Sequence, residues 1–230
     1  MSRHLKRLNA PKSWTIPRRT TKYIVKPLPG AHTLTESIPI ALVLRWIGYA
    51  QTASESKKII HSHNVLVDGR RLTDPKEPVG LLDSISLPDS NEHYRVTFDE
   101  KGRLQLVPIT KEEAGMKLCK VVNKTAVAGG KTQLNLNDGR NILADAKTAN
   151  TGDTLLLQVP GQKIHQRLAL EKGALIYLLG GKHIGTLGVL EKVEDNEITF
   201  TQNGQSITTA KKYALVVGRD KPVLTIMKAQ

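Results

Sequence analysis

A chain of 230 residues with one cysteine, Cys119, can form no internal disulfide and no multi-cysteine zinc site. Such sparing use of thiols suits a reducing compartment. No apolar run reaches the roughly 18 residues that a membrane-crossing helix needs. Met1-Ser2-Arg3-His4 leads into no apolar core followed by a cleavage site, so no signal peptide is expected and the chain is expected in the cytosol. Acidic residues are missing before Glu36. Catalytic signatures are missing as well. Gly129-Gly130-Lys131-Thr132 looks like the end of a phosphate-binding loop, but Thr125 stands where that loop needs its first glycine. His61 and His63 have no carboxylates at metal-ligand spacing; His63 is expected in the core and His61 on the surface. Asp99 and Glu100 read as turn residues without an acid–base partner. Neither a catalytic residue, a metal ligand nor a cofactor site is expected.

What the chain has in abundance is positive charge, a formal +13 with an isoelectric point near 9.8. A polyanionic partner follows. Arg3, Lys6, Arg7, Lys12, Arg18, Arg19, Lys22 and Lys26 all precede the first acid. They are interleaved with Pro11, Pro17, Pro27 and Pro29, which prevent a long helix. The apolar pattern over residues 1–36 is too sparse for a core, so this arm is expected to order only on binding. Its cations would sit on phosphates, with Trp14 stacking on a base or packed in a crevice. The plainer reading is a solvated basic tail whose Trp14 covers the globular part.

Residues 37–95 carry the strongest local pattern. Ile40, Val43, Leu44 and Ile47 share one helix face, predicting a helix over Ser37–Tyr49 with Ser37 as N-cap, Pro39 in the first turn and Gly48 at the end. Thr52-Ala53-Ser54-Glu55 is a capping box for a second helix over Thr52–His63, with Asn64 closing it in the left-handed conformation. Ser56, Ile59, Ile60 and His63 form its inner stripe. Ser54, Lys57, Lys58 and His61 cluster on the other side, which suits either phosphate binding or an ordinary solvated face. Val65–Arg70 then reads as a strand entering a tight turn at Asp68-Gly69, with Asp83–Leu87 as its partner.

This order of helix, Thr-x-Ser-Glu-x-x-x-Ile-Ile, Val-x-Val-Asp-Gly-Arg and Asp-x-Ile-x-Leu resembles the S4-type (alpha-L) RNA-binding module of ribosomal proteins, some pseudouridine synthases and tyrosyl-tRNA synthetases. Many members have glycine where His63 or Asn64 stands here. The resemblance implies that the second helix and the hairpin face RNA, and implicates Arg45, Ser54, Lys57, Lys58, Arg70 and Arg71. The pseudouridine synthases carry Gly-Arg-Leu-Asp; Gly102-Arg103-Leu104-Gln105 and Gly139-Arg140-Asn141-Ile142 both lack the aspartate.

A longer resemblance runs through His4-Leu5-Lys6-Arg7, Ala10-Pro11-Lys12, Trp14, Arg71-Leu72-Thr73-Asp74, Gly80–Ser86, Lys101-Gly102-Arg103 and Lys117–Val121. These look like the S4e family of small-subunit ribosomal proteins, in its archaeal form.

Tyr94, Val96 and Phe98 alternate before a turn into Leu104-Gln105-Leu106, and Thr110-Lys111-Glu112-Glu113 caps one short helix. Five short strands are predicted next, at Leu118–Val122, Gln133–Leu136, Asn141–Ala144, Thr154–Val159 and Lys163–Leu168, making residues 96–170 a small twisted sheet or barrel. Cys119 reads as a buried apolar residue. From 171 to 230, Leu175–Leu179 and a glycine-rich basic loop, Gly180–Ile184, resemble the KOW motif of SH3-like barrels. There the corresponding loop contacts RNA or protein, which implicates Lys182 and His183; a bare hairpin is the alternative. Asn203-Gly204 is a further turn, and Tyr213–Val217 a closing strand.

The fold expected is therefore α+β, with a helix–hairpin RNA-binding module, a central β domain and a C-terminal SH3-like KOW barrel behind a basic arm. The function expected is a structural constituent of the small ribosomal subunit. It would contact rRNA through phosphates and groove shape and have neighbouring ribosomal proteins as partners, with no membrane and no small-molecule substrate. An RNA-modifying enzyme and a transcription-elongation adaptor are the alternatives.

Overall fold

The computed structural model describes residues 4–127, 129–145, 147–202 and 204–227. The chain is mostly β, with three α-helices among the described residues. It divides into two compact units, one formed by residues up to Thr97 together with Arg103–Gly115, the other by Phe98–Gly102 and the chain from Met116 onward.

In the N-terminal unit, helix α1 spans Ile40–Ile47 and helix α2 spans Ala53–Ser62. The start of α1 differs from expectation. Ser37–Pro39 is extended and pairs antiparallel with Pro78–Gly80, so Pro39, not Ser37, is the N-cap. The first helical amides are met by loop carbonyls instead of a capping side chain: Ile40 N donates to Glu77 O and Ala41 N to Pro75 O. Ser37 Oγ donates to Thr33 O. Gly48 does end the helix, at φ +98°, a conformation glycine adopts without strain.

The capping box of α2 forms as expected, with Thr52 Oγ1 accepting from Glu55 N and the Glu55 carboxylate accepting from Thr52 N. Ser56 and Ile60 are buried, and Ser56 Oγ donates to Ala41 O, which ties α2 to α1. His63 departs from its expected core position. It is exposed and sits 2.8 Å from Asp89. His63 is also the extended C-cap, so Asn64 does not close the helix in the left-handed form.

Leu66–Val67 and Arg70–Arg71 make the expected hairpin, turning through Asp68 and Gly69, both at positive φ as a two-residue turn with the strand twist requires. Leu66–Val67 pairs with Ser84–Leu87. The sheet continues through Glu92–Phe98 to Leu104–Pro108. The buried Asp68 carboxylate accepts from Ser84 N and Oγ, pinning the hairpin to its neighbour.

The second unit holds two five-stranded antiparallel sheets. The first runs Asn141–Ala144, Thr132–Leu136, Met116–Ala126, Thr154–Gln158, Lys163–Leu168, close to the five strands read from sequence. Alternating residues Cys119, Val121, Leu134, Leu136, Leu155 and Leu157 form its core, as period-2 patterning dictates. The second sheet runs Gln205–Ala210, Glu197–Gln202, Leu187–Val193, Leu175–Leu178, Ala214–Gly218. Its closing strand begins one residue later than expected because Lys211–Tyr213 forms a 3-10 turn. Gln202 faces Gln205 across the hairpin, whose Asn203 lies outside the described residues.

Candidate nucleic-acid interface

The N-terminal segment is not a free arm. Trp14 is 2% exposed and its indole N–H donates to Ser37 O at 2.7 Å. Ala10 and Ile24 in the same segment are buried too, and Leu5–Lys6 pairs with Tyr23–Ile24. Burying a tryptophan removes enough apolar surface from water to order a segment otherwise short of core residues. Trp14 is thus a core residue and no base-stacking platform, and over residues 4–36 the expectation that the arm orders only on binding does not hold.

Two of the expected phosphate-binding cations have structural work in the same segment. Arg7 is 6% exposed; its Nε donates to Thr21 Oγ1 and its Nη1 to Pro17 O. Arg18 donates to the carbonyls of Ala10 and Pro11 at 2.8 and 2.7 Å. Sequence reading took both for surface charge because a carbonyl partner leaves no complementary residue type to find. The others present their charge outward: Lys6, Lys12, Arg19 and Lys22 are exposed and Lys26 is half-buried. Lys22 lies 5.5 Å from the ring of Tyr23. Arg3 lies outside the described residues.

On the helices and hairpin of the same unit, Arg45, Ser54, Lys57, Lys58, Arg70 and Arg71 are all exposed. Arg45 Nε donates to Gln51 O at 3.0 Å, which fixes the root of the guanidinium at the turn between α1 and α2. Arg71 approaches His61 O at 3.5 Å, which brings the hairpin beside the end of α2. Arg70 is paired with Glu77 at 2.5 Å, and its side chain stays 72% exposed. The hairpin therefore offers one cation already matched to an acid and one held only by a carbonyl.

In the second unit, Lys182 is exposed at the tip of the glycine-rich loop. His183 is half-buried, edge-on to Phe200 with ring centroids 6.3 Å apart, and its carbonyl accepts from Thr186 Oγ1. Gly185, at φ +79°, sits where any Cβ would collide with the Asp99 carbonyl, so the loop is built against the Phe98–Gly102 segment of its own unit. Lys120 is buried, with Nζ donating to Lys211 O and Lys212 O, both at 2.9 Å. Burial, and then the neighbouring Lys211, push its pKa down to about 8. Lys117 is 2% exposed and lies 3.3 Å from Asp138, which Arg140 also meets at 3.3 Å.

The arrangement provides cations, hydrogen-bond donors and little reactive chemistry. Burial raises the Cys119 thiol well above its ordinary pKa, and its Sγ donates to Asp138 at 3.4 Å; a buried thiol is inert as a nucleophile. Among the described residues no three His, Cys, Asp or Glu side chains converge to hold a metal ion, and no helix is long and apolar enough to cross a membrane. One cleft residue escaped the sequence reading: Trp46, half-buried in the wall of a cleft with Arg45. The signal was its place outside the Ile40, Val43, Leu44, Ile47 stripe.

Comparison with known proteins agrees along the length of the chain. Residues 1–35 match the family model described as the RS4NT (NUC023) domain, and residues 90–164 match Ribosomal family S4e. The small ribosomal subunit protein eS4 of Methanocaldococcus jannaschii is 46% identical over an alignment covering 97% of this chain and 97% of its own. The eS4 protein of Methanothermobacter thermautotrophicus is 42% identical over 97% and 96%. The crystal structure of the 30S ribosomal protein S4e from Thermoplasma acidophilum matches with a TM-score of 0.70 at 30% identity, covering 80% of this chain and 96% of that one. With identity of this order sustained from end to end in archaeal relatives, the chain belongs to the S4e family of ribosomal proteins.

Proposed function

We propose that this protein is a structural, non-enzymatic constituent of the small ribosomal subunit, working in the cytoplasm with ribosomal RNA and neighbouring ribosomal proteins as its partners. The observation that carries the reading is the exposed cationic surface of the N-terminal unit, where Lys6, Lys12, Arg19, Lys22, Lys57, Lys58 and Arg71 are all exposed. Phosphate contacts of this kind position a protein on folded RNA without any bond being made or broken. The eS4 names of the relatives supply the subunit.

In this reading residues 37–95 act as an S4-type module. The exposed face of α2 and the Asp68-Gly69 hairpin lie on RNA, with Arg45, Ser54, Lys57, Lys58, Arg70 and Arg71 as contacts. The N-terminal segment adds Lys6, Lys12, Arg19, Lys22 and Lys26. The sheet that begins at Met116 supplies the central β domain expected over residues 96–170, while Leu104–Pro108 belongs to the sheet of the N-terminal unit. Residues 171–230 act as a KOW-type barrel that presents Lys182.

Each phosphate contact releases condensed counterions, so affinity falls steeply with salt. The test is filter binding of the full chain to small-subunit rRNA over a salt series, unaltered and with Arg70→Glu plus Arg71→Glu. The reading expects weaker binding and a shallower salt slope for the double variant. Circular dichroism should show that variant still folded, with at most a small drop in melting temperature from losing the exposed Arg70–Glu77 pair. Equal affinity would remove the hairpin from the interface, and an unaltered chain that ignores rRNA at low salt would end the reading.

A further inference from the structure

Two depressions in the N-terminal unit share one pair of cations. The larger, about 640 Å³, is walled by Ile16 and Pro17 of the N-terminal segment and by Trp46 and Gln51 at the end of α1 and the turn after it. The other, about 560 Å³, is lined by Lys22 and Tyr23 among others. Arg7 and Arg45 line both, and no acidic residue lines either.

The charge at this point is unbalanced. Arg7 is buried to 6% exposure, yet its hydrogen bonds go to a hydroxyl and a carbonyl, neither of them charged. Burial and the nearby Arg45 both depress its pKa, so the two guanidiniums are close enough to repel. Glu55, next to the cleft in sequence, has turned its carboxylate onto the amides of Gln51 and Thr52. A buried cation is ordinarily neutralised; here the neutralising group has to come from outside, and two guanidinium forks suit a phosphate. Beside them the cleft has an aromatic and apolar wall and the volume of a small-molecule site.

We propose that this cleft holds one unstacked nucleotide of an RNA chain, its phosphate between Arg7 and Arg45 and its base against Trp46. The inference rests on the RNA-binding reading above and goes further: an extruded nucleotide is a single-strand contact, whereas phosphates and groove shape need only a helix. It also gives the stacking role to Trp46 and not to the buried Trp14.

Trp14 and Trp46 are the two tryptophans of the chain, and only Trp46 lines the cleft. Titrating the full chain with adenosine 5′-monophosphate should quench tryptophan emission, inorganic phosphate should not, and the quench should be weaker in Arg45→Met and absent in Trp46→Phe. In filter binding to small-subunit rRNA, Trp46→Ala should lose about tenfold in affinity and Trp46→Phe should restore most of it, because stacking tolerates any ring. Circular dichroism melts of each variant exclude unfolding as the cause. No quench by the nucleotide, an equal effect of phosphate alone, or full rRNA affinity in Trp46→Ala would each overturn the proposal. Binding to rRNA without quench would leave the ribosomal reading standing and sink this one; quench without binding to rRNA would sink the ribosomal reading and, with it, an RNA chain as the occupant of the cleft.

Discussion

Arg7 and Lys117 are two buried cations, one in each unit, and they are compensated in opposite ways. Lys117 meets the carboxylate of Asp138 inside the second unit, a carboxylate that Arg140 shares, so its charge has an acidic partner within the same unit. Arg7 has a hydroxyl and a carbonyl as partners and a second arginine nearby. The same residue class, equally hidden from water, is a structural strut in one unit and a source of unspent positive potential in the other. Positive charge on a ribosomal protein is thus informative only once its partner is known. In the N-terminal segment Arg7 and Arg18 are held by carbonyls and a hydroxyl, whereas the second unit carries the internal ion pairs of Lys117 and Arg167. The division is not complete, because Arg95 in the N-terminal unit meets Glu113 and Lys120 in the second meets two carbonyls.

The largest way to break this comparison is to remove the N-terminal segment. If residues 2–26 were only a basic tail, deleting them would leave the melting temperature intact. Because Trp14 is buried and hydrogen-bonded to Ser37 O, and removing a buried tryptophan side chain alone costs about 3–5 kcal/mol, the deletion should abolish cooperative unfolding of the N-terminal unit. Hydrogen exchange on the full chain and the deleted chain checks this: α1 amides should lose their protection while those of Thr154–Gln158 keep it.

Next in size is Asp138→Asn. It preserves shape and removes the carboxylate from Lys117 and Arg140, leaving buried positive charge, which costs about 3–5 kcal/mol. Denaturant melts of the full chain should show that loss in the transition of the second unit. A change below about 1 kcal/mol would mean that the triad is worth no more than a surface pair.

Much of this molecule could be read from its residues. The capping box Thr52/Glu55, the Asp68-Gly69 turn and the alternation of Cys119 and Val121 are local signals, and each formed where the pattern put it. The failures share a cause. Ser37 looked like an N-cap, but the strand Pro78–Gly80 competes for its backbone and the loop carbonyls of Pro75 and Glu77 take over the capping. Arg7 and Arg18 looked like surface charge because their partners are main-chain carbonyls, which every residue carries. His63 fell on the apolar stripe of α2, but the helix ends at Ser62 and the next residue swings out toward Asp89. Long-range pairing decided all three, and a single sequence does not display it.

Lys120 gives a smaller, pH-resolved effect. Its folded pKa is lowered to about 8, below the unfolded lysine value of about 10.4. Between those values the unfolded state binds more protons than the folded one, so stability rises with pH through that window. Relative to Lys120→Met, the unaltered chain should gain about 2 kcal/mol in the second unit between pH 8 and pH 10. A flat difference across that range would mean that the carbonyls of Lys211 and Lys212 hold the ammonium as well as water does.

The smallest expected change in stability tests the comparison most directly. Arg7→Met keeps the apolar stem, removes the guanidinium and leaves Pro17 O and Thr21 Oγ1, both on exposed residues, free to find water. It also relieves the repulsion from Arg45. The two effects oppose each other, so the melting transition of the N-terminal unit should move by less than about 1 kcal/mol. The same change at Lys117 leaves the buried Asp138 carboxylate with one cation fewer and should cost several times as much. If Arg7→Met destabilises as strongly as Lys117→Met, its charge is structural after all, and the contrast between the two units collapses.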